Sequence, residues 1–160
     1  MELDIARPAD YAFIRTIWDR PENARFLTPL EDGELERGTA EGTLLVWKPE
    51  GRAAGFASLI NWLPGSYAIA EMAVEAPGKG QGLALLSTVL ARLFADPLTH
   101  RVALDATVDN AAAIRLYEKA GFVREGVFRD CWRRADGELV DCAFMAILRR
   151  EWERLYKAER

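Results

Sequence analysis

A glycine-rich turn between an apolar strand and an apolar helix is the feature that most restricts the fold of this 160-residue chain. The stretch VEAPGKGQGLALLSTVLARLF, residues 74–94, places three glycines and Lys79 at the start of the helix. Each glycine costs about 0.5–1 kcal/mol relative to alanine in an ordered element. The first N–H groups of a helix have no partners within it and attract anions. The turn therefore predicts a phosphate-binding site.

Two common phosphate-binding motifs do not fit this turn. A P-loop requires Gly-Lys followed by Ser or Thr, whereas Lys79 is followed by Gly80. The dinucleotide fingerprint requires a third glycine where Leu83 or Leu85 stands, although Asp105 lies at a distance suited to a ribose hydroxyl. The spacing excludes both motifs.

Hydrophobic patterning predicts a mixed order of strands and helices. Strands are expected at 3–6, 43–48, 53–62, 66–74, 101–107, 122–134 and 139–148, and helices from Pro8 and at 83–95, 109–121 and 149–159. Residues 21–42, broken by prolines and glycines, are expected to form an excursion with one or two short helices. The order predicts an α+β or mixed α/β fold with one central sheet, and a single domain over residues 1–160.

Composition argues against several kinds of partner. The formal net charge of −4 disfavours nucleic acid, which is bound through phosphate neutralisation by Lys and Arg. No apolar run approaches the roughly 18–20 residues that span a bilayer, and the amino terminus is too charged for a signal peptide. Cys131 and Cys142 are too few for a disulfide framework or a zinc site. We expect reduced thiols in or near the core, a cytoplasmic location, and no metal, nucleic-acid or membrane partner.

Two motifs resemble the GNAT superfamily of N-acetyltransferases. The first, KGQGLA at 79–84, resembles the family's acyl-CoA pyrophosphate loop, Arg/Gln-x-x-Gly-x-Gly/Ala, with Lys79 in place of Arg or Gln. The tail from residue 124 further resembles the branch that contains ribosomal-protein alanine and small-amine acetyltransferases. The second motif, VDNAAAIRLYEKAGF at 108–122, is similar to a later block of the family and matches it at Asn110, Ala113, Tyr117, Gly121 and Phe122.

The resemblance implies a fold and a cofactor. A central mixed, mostly antiparallel sheet of six to seven strands would be flanked by helices, with two parallel strands splayed into an acyl-CoA cleft. These would be the strands ending at Val74 and near Thr107. Acetyl-CoA would be the acyl donor, with its pantetheine arm bonded to backbone groups of Met72 and Val74. The diphosphate would be held by the amides of Lys79, Gly80, Gln81, Gly82, Leu83 and Ala84.

The resemblance also implies catalytic roles for two residues. Tyr117 matches the tyrosine that protonates the departing thiolate, with packing beside Ile114 as the structural alternative. Glu71 is the only carboxylate in the strand before the loop, and three roles stay open: general base, substrate-binding acid, or a solvated or ion-paired residue. Strict alternation places Glu71 on the opposite face from Met72, and a local bulge would re-aim it.

The later motif also places Asn110 and Ala113 at the cofactor. Asn110 serves as a helix cap alone, or as a cap that also contacts the pantetheine arm. The implied reaction moves an acetyl group directly to a primary amine, in a protein N-terminus, polyamine, amino acid or antibiotic-like small molecule. The alternative is a non-catalytic acyl-CoA-binding sensor or recruitment module.

Specificity for the acceptor is expected to come from residues 21–42, from the loop NWLPGSY at 61–67 and from the hairpin at 128–138. Arg129, Arg133 and Arg134 of that hairpin form either a basic edge that attracts an acidic acceptor or a solvated face. A homodimer is one expected assembly. The acceptor pocket has four aromatic candidates, with core packing as the alternative for at least two of them: Trp62, Tyr67, Phe128 and Trp132.

Overall fold

The computed structural model describes residues 2–156, which form seven strands and five α-helices. The strands are β1 (Leu3–Ile5), β2 (Leu44–Trp47), β3 (Gly55–Leu63), β4 (Ser66–Val74), β5 (Arg101–Thr107), β6 (Val123–Arg133) and β7 (Leu139–Leu148). The helices are α1 (Tyr11–Trp18), α2 (Glu34–Glu41), α3 (Gln81–Ala95), α4 (Ala111–Lys119) and α5 (Arg149–Tyr156). Helix α3 begins two residues earlier than predicted, and the predicted end of the last helix, 157–159, lies outside the described residues.

All seven strands form one sheet in the order β1-β2-β3-β4-β5-β7-β6. Strands β4 and β5 run parallel, and the other neighbouring pairs run antiparallel. The mixed, mostly antiparallel sheet that the sequence predicts is therefore confirmed. The excursion between α1 and β2 contains one helix, α2, which is preceded by turns.

Each face of the sheet has its own hydrophobic core. Helix α3 packs on one face through Leu86 and Leu90, which are fully buried in a core shared with residues of β1, β2, β3, β4, β5 and β7. Helices α1 and α2 cover the opposite face beside β2 and β3, where the rings of Trp18 and Phe56 stack with centroids 4.9 Å apart. Beyond these helices Phe128 of β6 is 46% exposed, so part of the second face is open to solvent.

The sheet opens between its two parallel strands. Pairing of β4 with β5 runs as far as Ile69 and Leu104 and then stops, although both strands continue. On the other side of β4, Ser58 pairs with Glu71 but Leu59 pairs with Ile69, so the intervening residue of β4 is a β-bulge. The predicted splay and the local bulge, which the sequence suggests only as a way to re-aim Glu71, therefore occur at the same point of β4.

Gly65, in the turn between β3 and β4, gives a stability test of this architecture. Its φ is +73°, and an added Cβ would lie 2.3 Å from the carbonyl oxygen of Leu98. Gly65→Ala therefore combines left-handed strain with a backbone clash, and we expect a loss of about 2–4 kcal/mol in the free energy of unfolding, measured in urea.

Gly51 is the matched control for this substitution. It has a φ of +81° with no atom within 4 Å of an added Cβ. Gly51→Ala should therefore lose only the strain contribution, about 1–2 kcal/mol. Equal losses for the two variants would contradict the packing of the β3–β4 turn against the loop that precedes β5.

Candidate active site

The glycine turn leaves the start of α3 open to a ligand. Gly78 and Gly80 have φ values of +79° and +80°, and no atom lies within 4 Å of an added Cβ at either residue. Ala84 donates its backbone N–H to the carbonyl of Gly80 at 3.1 Å. The prediction that Ala84 offers a free amide is therefore wrong, because that amide makes the first hydrogen bond of the helix. The amides of residues 81–83 precede this bond and have no acceptor within the helix.

Two contacts fix the turn against its surroundings. The side-chain Oε1 of Gln81 accepts the backbone N–H of Ala76 at 2.9 Å, which ties the helix start to the end of β4. An added Cβ on Gly82 would lie 3.2 Å from a methyl group of Leu116, so this glycine allows α3 and α4 to approach closely. Lys79 is exposed beside the open amides and adds a positive charge.

A cleft of about 230 Å³ lies where β4 and β5 separate, and we call it the splay cleft. It is bounded by the free part of β4, the start of α3, one side of α4 and the excursion after α1. The sequence-predicted residues among its lining are Glu71, Met72, Val74, Gly82, Asn110, Ala113 and Tyr117. The fold thus gathers residues from both motifs and from β4 into one space.

A second cavity of about 270 Å³ continues toward β6 and β7, and we call it the hairpin groove. Thr28, Cys131, Trp132 and Cys142 contribute to its walls. The hairpin groove and the splay cleft have five lining residues in common: Phe26, Ala70, Glu71, Asp105 and Ala106. The two carboxylates therefore lie where the cavities meet.

The bulge in β4 sets the direction of Glu71. Ile69 packs in the α3 core, whereas Glu71, two residues later, accepts hydrogen bonds from the backbone N–H of Thr28 at 3.2 Å and from its hydroxyl. Without the bulge, strand alternation would place both side chains on the same face. Glu71 and Met72 lie on opposite faces, as alternation predicts, and the splay cleft reaches both.

The environment of Glu71 brings the pKa of its carboxyl close to neutral pH. Burial raises the pKa of Glu71 to about 8, the hydrogen bond from the Thr28 backbone opposes this shift, and the charges of Asp105 and Glu34 add to it. A carboxyl with a pKa near the working pH is suited to general base catalysis. The side chain of Glu71 is half-buried and hydrogen-bonded, so it is not freely solvated.

Asp105 of β5 is a site residue that the sequence reasoning missed, since it was weighed only as a partner for a ribose. It lines both cavities, and the thiol of Cys142 donates a hydrogen bond to it. Desolvation raises the pKa of Asp105 above its ordinary value, and the Cys142 hydrogen bond partly offsets the rise. The available signal was a lone carboxylate within the apolar strand RVALDAT.

Tyr117 of α4 lies in the splay cleft with its ring 6.1 Å from that of Phe122. Burial raises the pKa of the Tyr117 hydroxyl, and the nearby charges of Asp105 and Glu71 raise it further. The phenol therefore stays protonated at neutral pH and is available as a proton donor. The alternative, packing beside Ile114, holds in part, because both residues contact the α3 core.

Asn110 is the N-cap of α4. Its side-chain Oδ1 accepts the backbone N–H of Ala113 at 3.2 Å, which confirms the predicted cap. Both residues also line the splay cleft. The geometry therefore allows Asn110 to cap the helix and contact a ligand at the same time.

The cysteines and two of the aromatic candidates differ in their surroundings. Cys142 is buried as expected, but Cys131 is exposed, because it lies in an irregular part of β6 between Phe128 and Trp132. Trp132 lines the hairpin groove, whereas Tyr67 packs against the α3 core. The expectation that both thiols are packed in or near the core is therefore wrong for Cys131.

Arg134 corrects the prediction of a basic edge or a solvated face on the hairpin. Its side chain is only 5% exposed and is paired with Asp109 and Glu138 at 2.7 and 2.6 Å. Arg129 and Arg133 are exposed. The positive charge of Arg134 is therefore neutralised by two carboxylates instead of facing an acceptor.

Two further properties concern the part of the chain that the structure describes. Among residues 2–156, no group of three or more His, Cys, Asp or Glu side chains is arranged to hold a metal ion. In the same residues, no helix has the length and apolar character required to cross a membrane.

The chain belongs to the GNAT acetyltransferase family, whose sequence pattern matches residues 11–122. It is 40% identical over 65 residues to an aminoglycoside N(6')-acetyltransferase type 1 from Klebsiella pneumoniae. That match covers 39% of this chain and 32% of the relative, so it spans about a third of the curated protein.

Solved structures extend the similarity to nearly the whole chain. A spermidine N-acetyltransferase from Vibrio cholerae, in complex with CoA and spermine, superposes with a TM-score of 0.79 and 25% identity, covering 94% of this chain and 96% of that one. A ribosomal-protein-alanine N-acetyltransferase from Brucella melitensis superposes with a TM-score of 0.73 and 23% identity, covering 92% of this chain and 99% of that one. The latter likeness shows the shared fold.

The raised pKa of Glu71 predicts how stability depends on pH. Between its ordinary value of 4.5 and its folded value of about 8, the folded protein keeps a proton that the unfolded chain releases. Wild-type protein should therefore lose stability relative to Glu71→Gln as the pH rises through this window. We expect the difference in free energy of unfolding between the two proteins to change by roughly 2 kcal/mol across this window. This is less than the whole pKa shift would give, because solvent reaches part of the carboxyl.

Urea unfolding of both proteins at several pH values between 4 and 9 measures this difference. The difference should level off once Glu71 is ionised in both states. A stability difference that does not change with pH would contradict the buried, proton-holding environment assigned to Glu71.

Proposed function

We propose that this protein is an acetyl-CoA-dependent N-acetyltransferase that moves an acetyl group directly to a primary amine. The observation that carries the proposal is the splay cleft, where the glycine turn, the free edge of β4, Tyr117 and Glu71 meet. Membership of the GNAT family supports the same activity. A spermidine N-acetyltransferase of the same fold, solved with CoA and spermine, supports the choice of donor.

The residues present fit acetyl-CoA, which supplies an activated acetyl thioester when bound. The diphosphate fits the open amides of residues 81–83, where two uncrowded glycines admit the anion and Lys79 adds charge. The pantetheine arm fits the edge of β4 at Met72 and Val74, which has no β5 partner. Asn110 and Ala113 line the cleft opposite this edge.

In the proposed reaction, Glu71, the backbone near Val74 and Tyr117 each act on one proton or one developing charge. Glu71 takes the proton from the amine as its nitrogen bonds to the acetyl carbon. The backbone near Val74 polarises the thioester carbonyl. Tyr117 gives its proton to the sulphur as the carbon–sulphur bond breaks, which yields the acetylated amine and the free thiol of coenzyme A. Asp105 lines the same two cavities as Glu71 and is placed to bind the amine as a cation.

We infer a small amine as the acceptor in preference to a protein N-terminus. The hairpin groove brings two carboxylates together beside Phe26 and Trp132, an arrangement that suits a small cation with an apolar or ring-containing body. The relatives named above include proteins that act on spermidine and on aminoglycosides, which supports this class.

We also propose that the protein forms a homodimer and is located in the cytoplasm. Strand β6 lies at the edge of the sheet, and its Val123 and Val127 are 55% and 43% exposed. Exposed apolar side chains on an edge strand favour association with a second copy. The unpaired cysteines are consistent with a reducing compartment.

Release of free thiol from acetyl-CoA tests the activity across spermidine, kanamycin, free amino acids and peptides with free N-termini. We expect turnover with a small cationic amine. Tyr117→Phe should lower kcat by about 10²–10⁴, the range for a lost general acid, while the Tm and the affinity for CoA stay close to wild type.

Tyr156→Phe is the matched control, because its hydroxyl donates to the carbonyl of Ala120 in the α5 contact, away from the cleft. It should leave kcat unchanged. Binding of CoA without thiol release for any amine would contradict the enzyme proposal and favour a non-catalytic acyl-CoA sensor.

A further inference from the structure

Asp109 holds two arginines from distant parts of the chain. Arg134 Nη2 lies 2.7 Å from both carboxylate oxygens of Asp109, and Arg25 Nη2 lies 2.8 Å from Oδ2. Asp109 lies two residues after the end of β5 and directly precedes Asn110, the N-cap of α4. One carboxylate therefore ties three segments together at the end of the splayed strand.

The first arginine belongs to the excursion that leads from α1 to α2. Phe26, next to Arg25 in sequence, lines both the splay cleft and the hairpin groove. Two residues further on, Thr28 lines the groove and donates to Glu71. The excursion thus forms one wall of the groove, and the Arg25–Asp109 ion pair is one of its attachments to the rest of the fold.

The second arginine belongs to the β6–β7 hairpin, which forms the other wall. Arg134 is nearly buried, and its Nη1 also lies 2.6 Å from Glu138 across the hairpin turn. Two residues before it, Trp132 lines the groove, as does Cys131. The hairpin tip is therefore fixed to the same carboxylate as the excursion.

We propose that Asp109 is a positioning residue that clasps the two walls of the hairpin groove and so sets its width for the acceptor amine. None of the three clasp residues, Arg25, Asp109 and Arg134, lines the groove or the splay cleft. Their influence on a bound molecule must therefore pass through neighbours such as Phe26 and Trp132. The turn that receives the diphosphate lies outside the clasp.

The charges favour a clasp that stays closed. Hydrogen bonds from Arg134 and then from Arg25 hold the pKa of Asp109 well below its usual range, so the carboxylate is ionised at neutral pH. Arg134 is also held from two sides, because its Nη2 lies 2.7 Å from both oxygens of Asp109 while its Nη1 lies 2.6 Å from Glu138. The two walls should accordingly keep a fixed spacing when the groove is empty.

The kinetic test compares Arg25→Gln, Asp109→Asn and the double variant, and it rests on the proposed function. With the amine that is turned over fastest, each single variant should raise the acceptor KM by about tenfold, with the acetyl-CoA KM and kcat within about twofold. The double variant should be no worse than Asp109→Asn alone, because that substitution already removes the contact with Arg25.

Arg37→Gln is the matched control for the excursion. Arg37 is 55% exposed, close to the 54% of Arg25, and its ion pair with Glu31 stays within the excursion. It should leave both KM values unchanged. An unchanged acceptor KM in Arg25→Gln and Asp109→Asn, equal increases in both KM values, or additive effects in the double variant would overturn the clasp.

Hydrogen–deuterium exchange of the ligand-free proteins gives a second test that needs no activity. Arg25→Gln and Asp109→Asn should speed exchange at amides 21–30, while α3 and Arg37→Gln protein exchange as in wild type. Unchanged exchange at 21–30 would overturn the clasp even if an acceptor is found. Faster exchange there, in a protein that acetylates no amine tested, would support the clasp and count against the proposed function alone.

Discussion

The end of hydrogen bonding between β4 and β5 is the constraint on which the rest of the structure depends. Pairing stops after Ile69 and Leu104, beside the β-bulge at residue 70, and the sheet opens there. Open strand edges inside a fold carry unpaired polar groups, and such groups are costly unless water or a ligand satisfies them. The opening therefore creates both the space for a ligand and the backbone groups that a ligand can bond.

Burial in the splay cleft raises the pKa values of two groups, Glu71 and Tyr117, with different consequences. Desolvation raises the pKa of Glu71 to about 8, which allows it to gain and lose a proton near neutral pH. The same burial, with the charges of Asp105 and Glu71, keeps the hydroxyl of Tyr117 protonated. Glu71 and Tyr117 thus line the same cleft with pKa values suited to the acceptor and donor roles in the proposed transfer of an acetyl group to an amine.

Local features of this fold were predictable from the sequence, and features that depend on tertiary pairing were not. The glycine turn and the Asn110 cap depend on residues a few positions apart, so their patterns are visible directly. Asp105 could not be assigned to the site from the sequence. Its position depends on the parallel pairing of β4 with β5 and on the end of that pairing at Leu104, one residue before Asp105. Arg134 was read as part of a surface edge, because nothing in the hairpin sequence shows that Asp109 neutralises it from another segment.

The central claim is that open amides at residues 81–83, with Lys79, hold the diphosphate of coenzyme A. Calorimetric titration of the folded protein with CoA, and in parallel with pantetheine, which lacks the nucleotide and its phosphates, tests this most directly. The account predicts one CoA site per chain and binding of pantetheine at least about 100-fold weaker, because the charge-assisted contacts are lost. No heat with CoA, or equal affinities for the two compounds, would contradict it.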